Sequence, residues 1–107
     1  MPTTIYCFDG WRLDAGRRRL FDPDGTEVRM TSFEIDMLVM FCQNPQQALT
    51  RTQLGSRVNG KVLSSERAVD VRIGRIRAKI EKDPCSPEII KTVRQGGYWF
   101  TPDVTVE

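Results

Sequence analysis

The sequence predicts an α+β fold, in which short strands come first, helices follow and a β-hairpin closes the chain. Turn sequences divide the first thirty residues into short segments, two helix-capping motifs follow, and a Gly-Gly turn separates two apolar segments near the end. With 107 residues the chain can build one hydrophobic core, so we expect a single domain over residues 1–107.

The N-terminal strands are predicted over residues 5–30, where turn signals recur every few residues. Apolar and polar residues alternate from Trp11 to Leu13 and from Val28 to Met30, as in an antiparallel sheet with one face in water. The four strand segments are Tyr6-Cys7-Phe8, Trp11-Arg12-Leu13-Asp14, Arg18-Arg19-Leu20-Phe21 and Glu27-Val28-Arg29-Met30.

Two capping boxes predict the first two helices. In the first box Thr31 is the N-cap and Glu34 is the third helical residue, and the helix over 32–44 buries Met37, Leu38 and Phe41. In the second box Thr50 and Gln53 open a short helix over 51–58, which ends at Asn59-Gly60.

A third helix is predicted over residues 66–82, and it is amphipathic in an unusual way. One narrow stripe is apolar, with Val69, Ile73, Ile76 and Ile80 at i, i+4, i+7 and i+11. From Arg67 to Ile80 the other side carries five cations against one aspartate, a net charge of +4 in a chain whose total is +2: Arg67, Arg72, Arg75, Arg77 and Lys79 against Asp70.

Nucleic-acid binding is the first hypothesis for this helix, because a basic helix fits the DNA major groove. A solvated surface helix with ordinary charges is the alternative, and the helix alone does not exclude it.

A β-hairpin is predicted over residues 89–101, directly after the basic helix. Gly96 and Gly97 are expected to supply the positive φ angles of its turn, and Tyr98 and Phe100 share one face of the second strand as core residues. Trp99 points to the opposite face, where it packs against the sheet, touches DNA or meets a partner. Two capped helices, a basic helix and a hairpin together resemble a helix-turn-helix followed by a wing.

The composition argues against enzyme chemistry. The chain has no histidine, and Cys7, Cys42 and Cys85 are odd in number and far apart, so no usual zinc site, metal site or disulfide framework is expected. The absence of histidine also removes the most common general base, and no cofactor is implied. No apolar run is long enough to span a membrane, and no secretory signal begins the chain, so cytoplasmic residence is expected.

Four segments, in order and with matching spacing, resemble the C-terminal winged-helix output domain of OmpR/PhoB-type response regulators. They cover nearly the whole chain together with the N-terminal strands. The segments are Met30-Thr31-Ser32-Phe33-Glu34, Leu49-Thr50-Arg51-Thr52-Gln53-Leu54, the helix from Glu66 to Ile80, and Ile90-Lys91-Thr92-Val93-Arg94-Gln95-Gly96-Gly97-Tyr98-Trp99-Phe100.

The resemblance implies a four-stranded N-terminal antiparallel sheet, three helices and a hairpin wing. It further implies a transcriptional regulator domain of a two-component system that binds double-stranded DNA, with the third helix in the major groove and the wing in the minor groove. Such domains usually follow a receiver domain, which is absent from these 107 residues. The resemblance also implies a monomer in isolation, a tandem dimer on direct-repeat half-sites, and nucleoid association. It implies contact with RNA polymerase through the 59–65 loop, with Val62 and Leu63 as anchors.

Helical angles and the resemblance together assign roles to residues. Arg75 and Val71 lie opposite the apolar stripe and are expected to contact bases, Arg75 at guanine and Val71 at a thymine methyl. Arg94 precedes the wing turn and is expected to enter the minor groove. The expected contacts to the DNA backbone are Arg67, Arg72, Arg77, Lys79, Arg51, Lys91 and Thr92.

Asp70 is expected to orient Arg67 or Arg77 through a salt bridge, because a carboxylate is repelled by phosphate. Gly74 departs from the polar or basic residue that the family often carries there. Either specificity then depends more on Arg75 and the wing, or the glycine lets the backbone approach the DNA closely.

Two other functions remain open from the sequence: a winged helix that binds another protein, and the DNA-binding domain of a membrane-tethered one-component regulator.

Overall fold

The computed structural model describes residues 4–55, 66–94 and 96–107. Within them, antiparallel strands, three helices and C-terminal strands confirm the predicted α+β fold. In chain order the elements are β1 (Ile5–Phe8), β2 (Trp11–Asp14), β3 (Arg19–Phe21), β4 (Glu27–Val28), α1 (Ser32–Gln43), β5 (Ala48–Thr50), α2 (Arg51–Gly55), α3 (Glu66–Ile80), β6 (Ile90–Val93), β7 (Gly97–Phe100) and β8 (Val104–Val106).

The first sheet is antiparallel, in the order β4-β3-β2-β1-β8. Tyr6 lies opposite Leu13, and Leu13 lies opposite Leu20, so one face of the sheet presents a continuous apolar surface to the core. Arg12, between two buried residues of β2, is exposed on the other face. This is the predicted alternation of apolar and polar positions.

A fifth strand departs from the predicted four-stranded sheet. β8 pairs with β1, with Val104 opposite Phe8 and Val106 opposite Tyr6. Three residues give too short a pattern to predict a strand. The strand forms because the chain returns from the hairpin to the open edge of β1, where its backbone groups find partners.

Both capping boxes are present. The Glu34 N–H donates to Thr31 Oγ1 at 3.3 Å, and the Thr31 N–H donates to Glu34 Oε1 at 2.8 Å. At the second box the Thr50 N–H donates to Gln53 Oε1 at 2.8 Å, and the Gln53 N–H donates to Thr50 Oγ1 at 3.0 Å. α1 ends at Gln43, with Asn44 as its C-cap. The described part of α2 ends at Gly55, so the predicted end of α2 at residue 58 lies outside the described residues.

A second sheet, in the order β5-β7-β6, contains the hairpin and one strand that the sequence analysis does not predict. β5 immediately precedes α2 and pairs with β7, with Leu49 opposite Tyr98. All three residues of β5 pair with β7, so this strand attaches the hairpin to the start of α2.

α3 ends at Ile80, two residues before its predicted end. The next side chain, Glu81, is buried, and its carboxylate accepts the backbone N–H groups of Glu88, Ile89 and Ile90 at distances of 2.8 to 3.1 Å. These bonds satisfy donors at the entrance to β6, so the end of α3 and the start of the hairpin are held together.

The core lies between the first sheet, α1, α3 and the hairpin. Phe100 of β7 is fully buried, with its ring centroid 4.9 Å from that of Phe8 and 5.5 Å from that of Phe41. A single aromatic residue of the hairpin therefore joins the N-terminal sheet to α1. No helix among the described residues is both long and apolar enough to cross a membrane.

The two hairpin glycines serve different purposes, which corrects the prediction that both supply positive φ. Gly96 has φ +88°, as the turn requires, whereas Gly97 is not among the residues with positive φ. A Cβ on Gly97 would instead lie 2.5 Å from the carbonyl oxygen of Leu49. Gly97 is needed because β5 and β7 approach each other closely.

The Glu34 carboxylate, which caps α1, also forms an ion pair with a lysine of α3. The Glu34 side chain is 1% exposed, and Lys79 Nζ lies 2.6 Å from its Oε1. Burial acts to raise the pKa of Glu34, but the hydrogen bonds from Lys79 and from the Thr31 backbone outweigh it and lower the pKa below its usual value. One carboxylate thus caps α1 and fixes α3 against it.

The Gly97→Ala substitution is expected to lower the free energy of unfolding by about 2 kcal/mol, because its methyl group forces β5 away from β7. The matched control is Gly74→Ala, since nothing lies within 4 Å of a Cβ placed on Gly74. That control is expected to gain about 1 kcal/mol from the higher helix propensity of alanine. Urea unfolding of both variants measures the difference, and changes of equal sign would contradict this explanation.

Lys79→Ala is expected to cost about 2 kcal/mol near neutral pH, because it leaves the buried Glu34 carboxylate without its cation. Since the folded-state pKa of Glu34 is lowered, its contribution is complete above the unfolded-state pKa of about 4.3 and is lost as pH falls through the folded value. Urea unfolding as a function of pH should therefore show a smaller loss on acidification in the variant than in the wild type.

The control for Lys79→Ala is Lys82→Ala, at an exposed lysine with no partner in the described part of the chain. Its expected change is within about 0.5 kcal/mol. Equal effects of the two substitutions would show that the Glu34 pair does not hold α1 and α3 together.

Candidate nucleic-acid interface

α3 divides into a core face and a solvent face as predicted. Its buried residues are the four of the apolar stripe, Val69, Ile73, Ile76 and Ile80. Five residues that helical geometry places on the opposite side are all exposed: Arg67, Val71, Gly74, Arg75 and Ala78. The surface available to a ligand is therefore a cationic helix face with an apolar centre.

Arg67 and Arg75 provide the free charge of this face. Neither guanidinium has an ion pair or hydrogen bond with any residue in 4–55, 66–94 or 96–107. As far as these residues are concerned, both keep their full set of N–H donors for an external acceptor. A planar guanidinium can bind two acceptors at once, which suits a phosphate or the paired acceptors of guanine.

Asp70 pairs with neither of its predicted partners, Arg67 and Arg77. Its Oδ1 accepts from Arg51 Nε at 2.7 Å and also from the Tyr98 hydroxyl. The Arg51 guanidinium lies 5.7 Å from the centre of the Tyr98 ring. This cluster joins the start of α2, the middle of α3 and the hairpin strand β7.

The pKa shifts reflect the same cluster. Burial acts to raise the pKa of Asp70, but the hydrogen bonds from Arg51 and Tyr98 lower it below the usual value. Burial, together with the hydrogen bond to Asp70, raises the pKa of Tyr98. Asp70 is therefore an ionised acceptor and Tyr98 a neutral donor, as this geometry requires.

Arg77, which is predicted to contact phosphate, bonds to the wing within the protein. Its Nε and Nη2 donate to the Ile90 carbonyl at 3.0 and 2.7 Å, and Nη2 also donates to Thr92 Oγ1 at 2.9 Å. Its guanidinium lies 5.2 Å from the centre of the Tyr98 ring. Arg77 thus attaches α3 to β6, and Thr92 accepts one of its bonds.

Three more predicted phosphate contacts have partners inside the protein. Lys79 pairs with Glu34 and Arg51 pairs with Asp70, so both cations are already neutralised. Arg72 is partly buried, with its guanidinium 5.2 Å from the centre of the Phe33 ring. The helix therefore offers less free positive charge than its sequence suggests.

The wing presents two free cations. Lys91 in β6 and Arg94 at the turn are exposed, with no ion pair or hydrogen bond from their side chains within the described residues. Trp99 is 39% exposed on the outer face of β7, directly opposite Lys91. Tyr98 and Phe100 face inward, as predicted.

The predicted polymerase-contacting residues Val62 and Leu63 lie outside the described residues, as does the whole 59–65 loop.

The Arg51–Asp70–Tyr98 cluster is not predictable from the sequence. Arg51 precedes Asp70 by 19 residues and Tyr98 follows it by 28 residues. Local patterns cannot predict a pairing over such separations. The signal available was an aspartate among the cations of α3, which requires a partner but does not identify it.

The chain matches a family model and several known proteins. The family model described as "Transcriptional regulatory protein, C terminal" matches residues 25–100. The regulatory protein VirG of Agrobacterium tumefaciens (strain 15955) is 43% identical over 103 residues, which are 94% of this chain and 38% of VirG. The chain thus spans about two fifths of the length of this relative.

Two solved structures share the fold. The response regulator DrrB, an OmpR/PhoB homologue from Thermotoga maritima, gives a TM-score of 0.81 at 33% identity, over 91% of this chain and 44% of DrrB. The Klebsiella pneumoniae RstA DNA-binding domain, solved in complex with the RstA box, gives 0.81 at 30% identity, over 92% of this chain and 98% of that domain. By family model, relatives and fold, this chain belongs to the OmpR/PhoB-type C-terminal domains of transcriptional regulatory proteins.

Proposed function

We propose that this domain binds double-stranded DNA in a sequence-specific manner, as the output domain of a transcriptional regulator. The observation that carries the proposal is the exposed face of α3, where Arg67 and Arg75 have no partner among the described residues and flank an apolar centre. The B-DNA major groove is wide enough for an α-helix, and guanidinium groups bind both its phosphates and its guanine edges.

Within that groove, Arg75 contacts guanine O6 and N7, and Val71 contacts a thymine methyl group. Arg67 lies about one turn closer to the N-terminus of α3 than Val71, and it binds a backbone phosphate. The internal partners of Arg51, Arg77 and Lys79 support a positioning role for these cations in place of direct phosphate contact.

The wing adds a second contact area. Arg94 enters the minor groove, where a narrow A·T-rich segment concentrates negative potential, and Lys91 binds the adjacent backbone. The bonds from Arg77 to Ile90 and Thr92 support this geometry, because they fix the wing at a set distance from α3.

The remaining parts of the proposal concern the whole regulator. The regulator acts at the nucleoid and catalyses no reaction. It responds to an input domain. The domain is a monomer alone and occupies direct-repeat half-sites in tandem, and the 59–65 loop contacts RNA polymerase. The RstA domain solved with its DNA box supports the central step, DNA binding, by analogy.

Arg75→Ala is expected to reduce discrimination between a selected site and a variant with a changed guanine by about 1–3 kcal/mol. Arg67→Ala, the matched control on the same face, is expected to weaken all sites alike. It should also make the dependence of log affinity on log salt concentration shallower by about 0.9, because one phosphate contact is lost. Fluorescence anisotropy on a panel of duplexes at several salt concentrations measures both effects.

An equal loss from both substitutions on every duplex would contradict the division between base reading and phosphate binding. No wild-type binding to any mixed duplex at low salt would overturn the proposed function and favour a winged helix that binds protein.

Arg94→Ala is expected to abolish the preference for A·T-rich over G·C-rich flanking sequence while leaving discrimination within the major-groove site unchanged. The measurement compares the affinities of wild type and variant for duplexes that share the core site and differ only in the flank. Lys91→Ala is the matched control, expected to lower both affinities by the same factor. An undiminished flank preference in Arg94→Ala would place Arg94 outside the minor groove.

A further inference from the structure

We infer that Gly74 is a specificity-determining residue: the space left by its missing side chain receives the C5 methyl group of a thymine in the major groove. This inference rests on the proposed function, because it requires α3 to lie in that groove.

Nothing in the described part of the chain explains a glycine at this position. Gly74 lies in the interior of α3, where glycine is the least favourable residue other than proline. Its φ is not positive, so the backbone does not require it. A Cβ would meet no atom within 4 Å, so close packing does not require it either. Gly97 provides the contrast, since there a Cβ would collide with the Leu49 carbonyl.

Gly74 lies on the exposed face of α3. Val71, three residues before it, is 42% exposed, and Ala78, four residues after it, is exposed as well. Residues three and four apart in a helix are neighbours on its surface. The space over Gly74 is therefore bordered on one side by two apolar side chains, and on the other by Asp70 and Arg77, whose side chains bond within the protein.

The chemistry of this space selects its occupant. Among the base-pair edges of the major groove, the apolar group is the thymine C5 methyl, and the other groups are hydrogen-bond donors and acceptors. A donor or acceptor placed against Val71 and Ala78 would lose its water without gaining a partner. Arg75, which is adjacent to Gly74 and has no partner in the described ranges, provides the hydrogen bonds for a neighbouring guanine.

The helix dimensions fit a short stretch of sequence. From Val71 to Ala78 the helix advances about 10 Å. That length corresponds to about three base pairs at 3.4 Å each. Gly74 is near the middle of this span, where the backbone of a helix in the groove comes closest to the bases.

The experiment is a double-mutant cycle between a methyl group on the protein and a methyl group on the DNA. A high-affinity duplex is first selected with wild-type protein, and each thymine is then replaced singly by deoxyuridine, which lacks only the C5 methyl. Wild type and Gly74→Ala are titrated with the whole set. At one thymine, removal of the methyl is expected to weaken wild-type binding about fourfold.

On the unmodified duplex, Gly74→Ala is expected to bind roughly tenfold more weakly than wild type, because two methyl groups then compete for one space. Deoxyuridine at that same thymine should restore most of the lost affinity of the variant. At other thymines the substitution should affect both proteins equally. Gln43→Ala, an exposed alanine substitution at the end of α1, is the matched control and should bind every duplex like wild type.

Thermal unfolding separates binding from folding, because Gly74→Ala should be at least as stable as wild type. Two outcomes would overturn the inference: Gly74→Ala binding the thymine duplex as tightly as wild type, or an affinity loss that no deoxyuridine restores. Either result leaves the proposed function intact, which fails only if wild type does not bind duplex DNA.

Discussion

The carboxylate of Asp70 is the point on which the arrangement of the DNA-facing elements depends. It accepts from Arg51 at the start of α2 and from Tyr98 in the hairpin, while it belongs to α3 itself. Arg77 completes the connection by donating to the Ile90 carbonyl. Because charge-assisted hydrogen bonds are stronger and more directional than neutral ones, a few of them fix a helix and a wing that share no backbone pairing.

The cations of α2 and α3 include two contrasting sets. Arg51, Arg77 and Lys79 are engaged within the protein, where they position α2, α3 and the wing. Arg67 and Arg75 have no partner within the described ranges, 4–55, 66–94 and 96–107. A helix with many cations is thus only partly a binding surface, and most of its charge serves to hold the few free arginines in place.

Residues of the two capping boxes likewise have two structural roles each. Glu34 caps α1 and also pairs with Lys79, so a local helix-start motif fixes the distance between α1 and α3. At the second box, Thr50 belongs both to the cap of α2 and to β5, which pairs with the hairpin. Motifs that are recognisable within four residues of sequence therefore carry long-range contacts that their sequence does not reveal.

The sequence by itself determined the α+β class, both helix caps, the buried stripe of α3 and the inward direction of Tyr98 and Phe100. Each of these follows from residues close together in the chain, where backbone periodicity and local hydrogen bonds decide the structure. Only the tertiary structure decided that β5 and β8 form, that Gly97 permits a close strand approach, and that Arg51 and not Arg67 neutralises Asp70. These features depend on groups far apart in sequence, which meet only when the hydrophobic core brings their elements together.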